Sequence, residues 1–179
     1  GYNSTESEEL VREDLVSQAL FLGKALTENA KTNTAEVNAL MALMCFHGAR
    51  FQSRQGEDGN AILLPEQNRK LWDKDMIAVG QDYLYKSGEG VSNYHFEALI
   101  AHEHCLAPTY KQTNWKTILG YYEIMLQNTF DPVLFLNKCM VHLELEGPEK
   151  ALQQLKKIEK NKDLQKYYLF HSVAGEIYK

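Results

Sequence analysis

The sequence predicts an all-α fold from three observations. Apolar residues recur at the 3.6-residue period of a helix, strand-like alternation is almost absent, and caps and breakers leave segments of about 12 to 20 residues. The 179 residues are 44% hydrophobic, which suits one globular domain. We therefore expect a single helical domain over residues 1–179, with an N-terminal helical subregion at 1–90 and a repeat half at 91–179.

Two helices precede the first irregular segment. The first is predicted over residues 7–28, because its leucines lie on or near one face. These leucines are Leu10, Leu15, Leu20, Leu22 and Leu26. The second begins at Thr34, whose hydroxyl is typical of a helix N-cap. Residues 39–46 are apolar nearly all round, so we expect Leu43 and Met44 to lie in the core.

The least helical stretch is the loop at residues 55–68. Asp58-Gly59 is a turn signal, residues 62–64 favour a short extended piece, and Pro65 suits the first turn of a helix. Polar side chains surround the loop: Arg50, Arg54, Asp58, Gln67, Arg69 and Asp73. They are either internal partners that keep the loop ordered or, together with Trp72, a protein-binding site, because such sites are enriched in Arg and Trp.

Six more helices follow from caps and breakers in the remaining sequence. They are predicted over residues 71–86, 93–105 and 114–128, and then from Pro132, from Pro148 and from Asp163. The third helix of the chain should therefore carry Leu71 and Trp72, and we expect Trp72 to lie in the N-terminal core with Leu43 and Met44. Gly88-Glu89-Gly90 and Pro108 mark the ends of the third and fourth helices.

The second half contains an internal repeat with an offset of 33 residues. This offset places Ile118 on Ala151 and Met125 on Ile158. A repeat of about 34 residues with apolar contact positions is typical of tetratricopeptide-like units. We expect antiparallel helical hairpins that form a tetratricopeptide-like right-handed α-solenoid in this half. An ordinary antiparallel bundle is the alternative.

Charge and composition disfavour two classes of partner. A net charge of −5 repels polyphosphate, so we expect no direct DNA binding. The longest apolar run, residues 39–46, is less than half of the roughly 20 residues that a bilayer span needs, and no leader precedes it. We expect a cytoplasmic protein without membrane contact. Three cysteines without a CxxC pair favour reduced core thiols.

No segment has the residue pattern of a catalytic or metal site. In His102-Glu103-His104 the two imidazoles lie about 200° apart on a helix, so they cannot face one metal, and the HExxH spacing is absent. Cys105 diverges from its neighbour His104 on a helix, and its apolar context would raise its pKa. We expect no catalytic residue, no metal and no cofactor.

One pattern of residues runs along nearly the whole chain. It comprises residues 35–50, Arg54, Asp58-Gly59, Leu63-Leu64, Gln67, Arg69, Trp72-Asp73, Thr113-Asn114-Trp115, Asp131-Pro132-Val133, Leu136-Asn137, Gly147-Pro148, Tyr167 and His171. This pattern resembles the C-terminal extension of a group of extracytoplasmic-function sigma factors of the sigma-70 family. Gly1-Tyr2 resembles the end of the Asn-Glu-Gly-Tyr linker of that family. Asn68 and Asn114 depart from it, because the family usually carries Asp there.

The resemblance implies a bacterial protein whose promoter-reading and polymerase-binding regions lie upstream of Gly1. This chain would then be a regulatory, protein-interaction domain, not an enzyme, whose partners are the sigma regions of the same polypeptide or RNA polymerase. The binding residues would be Arg50, Arg54, Asp58, Gln67, Arg69 and Trp72. The alternative is a small-ligand sensor or enzyme that uses the inner helical groove. The groove would be lined by His104, Trp115, Tyr121 and Tyr122.

Overall fold

A computed structural model describes residues 13–56, 60–127, 130–160, 164 and 168–178. Over these ranges the chain forms eight α-helices, and its only β feature is an isolated bridge between Gln55 and Ala61. The predicted all-α class is confirmed. The helices are α1 (Glu13–Glu28), α2 (Ala35–Gly48), α3 (Lys74–Lys86), α4 (Asn93–Leu106), α5 (Trp115–Met125), α6 (Pro132–Glu146), α7 (Pro148–Leu155) and α8 (Tyr168–Tyr178).

The chain divides into two compact units, residues 1–113 and residues 114–179. This division differs from the expected one at residue 90, because α4 packs against α2 and so belongs to the first unit. The antiparallel hairpins and the right-handed solenoid of the second half remain predictions.

The first unit is built around α2, which contacts α1, α3 and α4. The Thr34 hydroxyl accepts a hydrogen bond from Val37 N at 3.2 Å and so caps α2, as predicted. The buried core residues are Ala42, Leu43, Phe46, Ala49, Trp72, Ile77, Ala98, Ala101 and Cys105. Leu43 and Trp72 are thus core residues as expected, whereas Met44 is only half-buried.

Helix α1 packs against α2 with a different face from the leucine face that the sequence predicts. Its inner residues are Val16, Ala19, Leu20 and Gly23. Gly23 permits a close approach, because a Cβ atom there would collide with Sδ of Met41. The small inner residues bring α1 against α2 and leave Leu15, Leu22 and Leu26 exposed. Leu10 lies outside the described residues.

Helix α3 begins later than predicted. The Asp73 carboxylate accepts a hydrogen bond from Met76 N at 2.9 Å, and this cap starts the helix at Lys74. Leu71 and Trp72 therefore precede the helix. Residues 64–66 and 69–71 form short 3-10 turns, so the extended piece expected at 62–64 ends before Leu64.

The second unit is built around α6, which contacts α5, α7 and α8. Asp131 caps α6 by accepting from Val133 N and Leu134 N at 2.8 and 3.1 Å, and Asn114 caps α5. The buried core residues are Leu136, Cys139, Ala151, Leu155, Ile158, Leu164, Phe170, Val173 and Ile177. Gly147, at φ 91°, makes the turn between α6 and α7. Helix α5 ends at Met125, and the predicted helix start at Asp163 lies outside the described residues.

Candidate functional site

Four of the six predicted binding residues form one packed network in the first unit, together with Ser53. We call Arg50, Ser53, Gln67, Arg69 and Trp72 the arginine–tryptophan cluster. Trp72 Nε1 donates to Ser53 Oγ at 2.8 Å, and Ser53 Oγ donates to Arg50 O at 2.8 Å. Gln67 Oε1 accepts from Arg50 Nε at 3.3 Å, and Gln67 Nε2 donates to Ile62 O at 3.1 Å. These bonds connect the end of α2 to both ends of the loop.

Two guanidinium groups lie over the Trp72 indole. The Arg69 Cζ atom is 4.3 Å from the ring centroid and the Arg50 Cζ atom is 5.4 Å from it. Both distances are within the range of cation–π attraction. Trp72 is only 2% exposed, so its ring is occupied by internal partners.

Arg69 also joins the loop to the end of α4. Its Nη1 atom donates to Ala107 O at 3.1 Å and to His104 O. A cation at the C-terminus of a helix is favoured by the partial negative charge of the last carbonyl groups. Its Nη2 atom is buried and has no hydrogen-bond partner among the described residues.

Within the part of the chain that the structure describes, ion pairs do not balance the positive charge of this cluster or of the neighbouring Arg54. Among the described residues, no carboxylate forms a salt bridge with Arg50, Arg54 or Arg69. Burial lowers the pKa of Arg50 to about 10, and the positive charges of Arg54 and Arg69 add to the shift. Burial, together with the charges of Arg50 and Arg69, lowers the pKa of His104 to about 3. His104 is therefore neutral at pH 7.

The structure separates the predicted binding residues into internal and accessible ones. Arg50, Gln67 and Trp72 are buried, so they hold the loop in place, which is the first of the two interpretations considered above. Arg54 is half-buried and retains access to solvent. Asp58 lies outside the described residues, and Asp73 is the N-cap of α3.

Arg54 borders a pocket between α1 and α2, which we call the α1–α2 pocket. Its volume is about 220 Å³. The apolar part of its lining comes from both helices and from Phe51, and its two polar side chains are His47 and Arg54. Sequence reasoning missed this pocket, because its lining residues are far apart along the chain.

An exposed apolar strip on α1 is the second feature that sequence reasoning missed. Leu15, Leu22 and Leu26 follow one another along one side of the helix and are 52%, 64% and 41% exposed. We call these three residues the leucine stripe. Phe21, on the adjoining side, is 73% exposed. The leucine pattern was visible in the sequence, but the inward direction of α1 was not.

The four candidate groove residues belong to different units. His104 is buried on α4 of the first unit, and Trp115 is buried on α5 of the second. Tyr121 and Tyr122 are half-buried on α5.

The described residues contain no group of three or more His, Cys, Asp or Glu side chains suited to hold a metal ion. Burial raises the pKa of Cys45 and Cys105 to about 11 and that of Cys139 to about 12. These thiols are protonated at neutral pH. No helix in the described part of the chain combines the length and the apolar character that crossing a membrane requires.

Comparison with known proteins adds two similarities. Residues 1–88 match a family of unknown function, DUF6596. Over 181 residues the chain is 28% identical to an uncharacterized protein of Rhizobium meliloti (strain 1021). The match covers 100% of this chain but 42% of that protein, so the chain spans less than half the length of its relative. No solved structure matches the chain significantly.

Proposed function

We propose that this chain is a regulatory protein-interaction domain of an extracytoplasmic-function sigma factor and is not an enzyme. It modulates transcription initiation by contacting the sigma regions of the same polypeptide or RNA polymerase in the cytoplasm. Three findings support the proposal: the residue pattern shared with such extensions, a longer relative that contains a similar segment, and an exposed apolar surface on the first unit.

The leucine stripe is the observation that carries the proposal. A surface helix normally places its large apolar residues on the inner side. Helix α1 instead uses Val16, Ala19 and Leu20 for its inner side and keeps a second apolar side exposed. Several large apolar side chains exposed on one side of a helix are typical of a surface that a partner covers.

The support beneath this surface is ordered by the arginine–tryptophan cluster. The cluster fixes the end of α2 and the loop through hydrogen bonds and through the cation–π contact of Arg69 with Trp72. A binding surface on a rigid support loses less conformational entropy when a partner binds. The cluster therefore has a positioning role in the proposed contact, and the partner itself touches α1.

The intrinsic affinity need not be high. When two regions belong to one polypeptide, the linker supplies an effective concentration that reaches the millimolar range for a short flexible connection. A contact with a Kd in the micromolar range is then occupied nearly all the time. This argues for titrations that extend to high concentrations of the separate sigma regions.

The test measures binding of separately produced sigma regions to the full chain. Leu22→Asp places a charge in the leucine stripe, and Leu145→Asp makes the same change at an exposed leucine on α6 of the second unit. We expect the first change to weaken binding about tenfold or more, because a buried charge without a partner is costly. The second change should leave the Kd within about twofold of the unchanged chain.

Two results would contradict the proposal. One is the absence of saturable binding to either the sigma regions or RNA polymerase. The other is an equal Kd for the Leu22→Asp and Leu145→Asp proteins, with circular dichroism showing both to be folded.

A further inference from the structure

Among the described residues, three pockets border α1, and one of the three has no carboxylate in its lining. The pocket beside Leu71 has a volume of about 300 Å³ and includes Asp73. The pocket beside Tyr83 has a volume of about 320 Å³ and includes Asp73, Asp75 and Lys24, whose ammonium is paired with Glu28. The α1–α2 pocket, at about 220 Å³, has His47 and Arg54 as its polar residues. Its chemistry thus favours a negative ligand, whereas that of the other two does not.

The rest of the α1–α2 pocket is apolar. Val16 and Ala19 line it from α1, Leu43 and Met44 from α2, and Phe51 from the turn after α2. An apolar site with a small number of placed polar groups is the usual form of a small-molecule pocket. The volume is below the roughly 300 Å³ at which sites for drug-sized ligands begin, which limits the ligand to a small molecule.

Arg54 supplies the positive charge of this pocket. It is half-buried, and among the described residues no carboxylate lies within ion-pair distance of it. Desolvation, followed by the charges of Arg50 and Arg54, lowers the pKa of His47 to about 4, although the residue is exposed by its surface area. His47 is therefore a neutral hydrogen-bonding group at pH 7, and the charge at this position is that of Arg54.

We propose that the α1–α2 pocket binds a small monocarboxylic acid with an apolar body. The guanidinium of Arg54 donates hydrogen bonds to the carboxylate, and the side chains of Leu43 and Phe51 contact the apolar body. Arg suits this role because its planar group donates two parallel hydrogen bonds to a carboxylate. The ligand lies between α1 and α2, and it therefore occupies a place that the proposed contact with sigma regions does not use.

The test uses octanoate as the probe and 1-octanol as its uncharged counterpart. Each is titrated into the isotopically labelled full chain, and the amide signals of Gly48 and Phe51 report on the pocket. Arg54→Gln removes the charge, and Lys31→Gln removes an exposed charge before the opposite end of α2. Ala19→Leu fills the pocket without changing its charge. Circular dichroism checks that each variant is folded.

The proposal expects saturable binding of octanoate with shifts at both amides. Arg54→Gln and Ala19→Leu should each raise the Kd about tenfold or more, Lys31→Gln should change it less than about twofold, and 1-octanol should bind at least about tenfold more weakly than octanoate.

Three results of the octanoate titrations would overturn the proposal, and so would one result obtained with the sigma regions. They are no saturable binding of octanoate, an unchanged Kd in Arg54→Gln, and equal affinity for octanoate and 1-octanol. Shifts at these amides that occur with the sigma regions and not with octanoate would also overturn it, because they would assign the pocket to a protein segment.

Discussion

The two units are built from the same kind of helix but differ in what their interiors contain. All four arginines of the chain belong to residues 1–113, whereas nine of the fifteen lysines belong to residues 114–179. In the described part of the chain the first unit buries the guanidinium of Arg50, whereas the buried polar side chains of the second unit are His142 and Gln154, and no arginine is among them. An apolar core is sufficient for stability. The buried charge of Arg50 has a different role, because its hydrogen bond to Gln67 fixes the loop.

The two units differ in net charge, and in the first unit the sign of the net charge is opposite to that of the arginine–tryptophan cluster. Residues 1–113 contain sixteen Asp and Glu against ten Lys and Arg, a net charge of −6, although the arginine–tryptophan cluster is positive. Residues 114–179 contain eight acidic and nine basic residues, a net charge of +1. An anion that reaches the α1–α2 pocket is thus attracted locally by Arg54 and not by the overall charge of the unit.

The largest expected effect concerns Trp72 in the first unit. Trp72→Ala should lower the free energy of unfolding by about 3 to 5 kcal/mol, because it removes a large core side chain and the ring beneath two guanidinium groups. Trp72→Phe keeps an aromatic ring and removes the bond to Ser53, which costs about 1 kcal/mol. Urea unfolding followed by circular dichroism measures both. Equal losses would show that the ring does not support the cluster.

The corresponding change in the second unit is Leu136→Ala. Leu136 has no exposed surface, and its truncation should cost about 2 to 5 kcal/mol. Leu145→Ala, on the exposed side of the same helix, is the control and should change stability by less than about 0.5 kcal/mol. Similar values for the two variants would contradict the position of the core in this unit.

The third prediction concerns the first unit and the dependence of its free energy of unfolding on pH. Because the folded-state pKa of His104 is about 3 and the unfolded value is about 6.5, the unfolded state binds more protons between these values. Stability contributed by the neutral His104 is therefore present above pH 6.5 and falls as the pH decreases, by about 1.4 kcal/mol per pH unit.

The measurement is the urea midpoint at pH 7 and pH 5, with the fluorescence of Trp72 reporting on the first unit in a Trp115→Phe protein. His104→Gln should reduce the change with pH, and His47 should account for part of what remains. An unchanged pH dependence in His104→Gln would show that His104 is not held neutral by its surroundings.

The smallest expected effect comes from one substitution made in both units. A Cβ atom on Gly80 of α3 would lie 2.7 Å from the Phe46 ring, so Gly80→Ala should cost about 1 to 3 kcal/mol. A Cβ atom on Gly120 of α5 meets nothing within 4 Å, so Gly120→Ala should stabilise by about 0.5 to 1 kcal/mol. Thermal unfolding of both proteins measures these changes. Shifts of Tm with the same sign in both would contradict the packing of Gly80 and Gly120.

Much of the fold could be predicted because its signals are local. The caps at Thr34 and Asp131 and the turn at Gly147 mark their helices in the sequence itself. The orientation of α1 could not be predicted in this way. Its leucines occupy two sides, and the small residues Ala19 and Gly23 decide which side approaches α2.

The candidate site was predictable only in part. Their positions around the loop identified Arg50 and Trp72 as members of one group, but both an internal and a binding role fitted the pattern. Burial decides between these roles, and burial depends on how the loop folds back onto α2. The α1–α2 pocket depends on contacts between Val16, Leu43 and Arg54, which no short segment of the sequence contains.

The most direct test of the central claim, that the first unit makes the contact with the sigma regions, is amide hydrogen exchange. Exchange is measured on the full chain alone and with the sigma regions at saturating concentration. The account predicts slower exchange in α1, at residues 13–28, and unchanged exchange in α6 and α7. Slower exchange confined to the second unit, or no change anywhere at saturation, would contradict it.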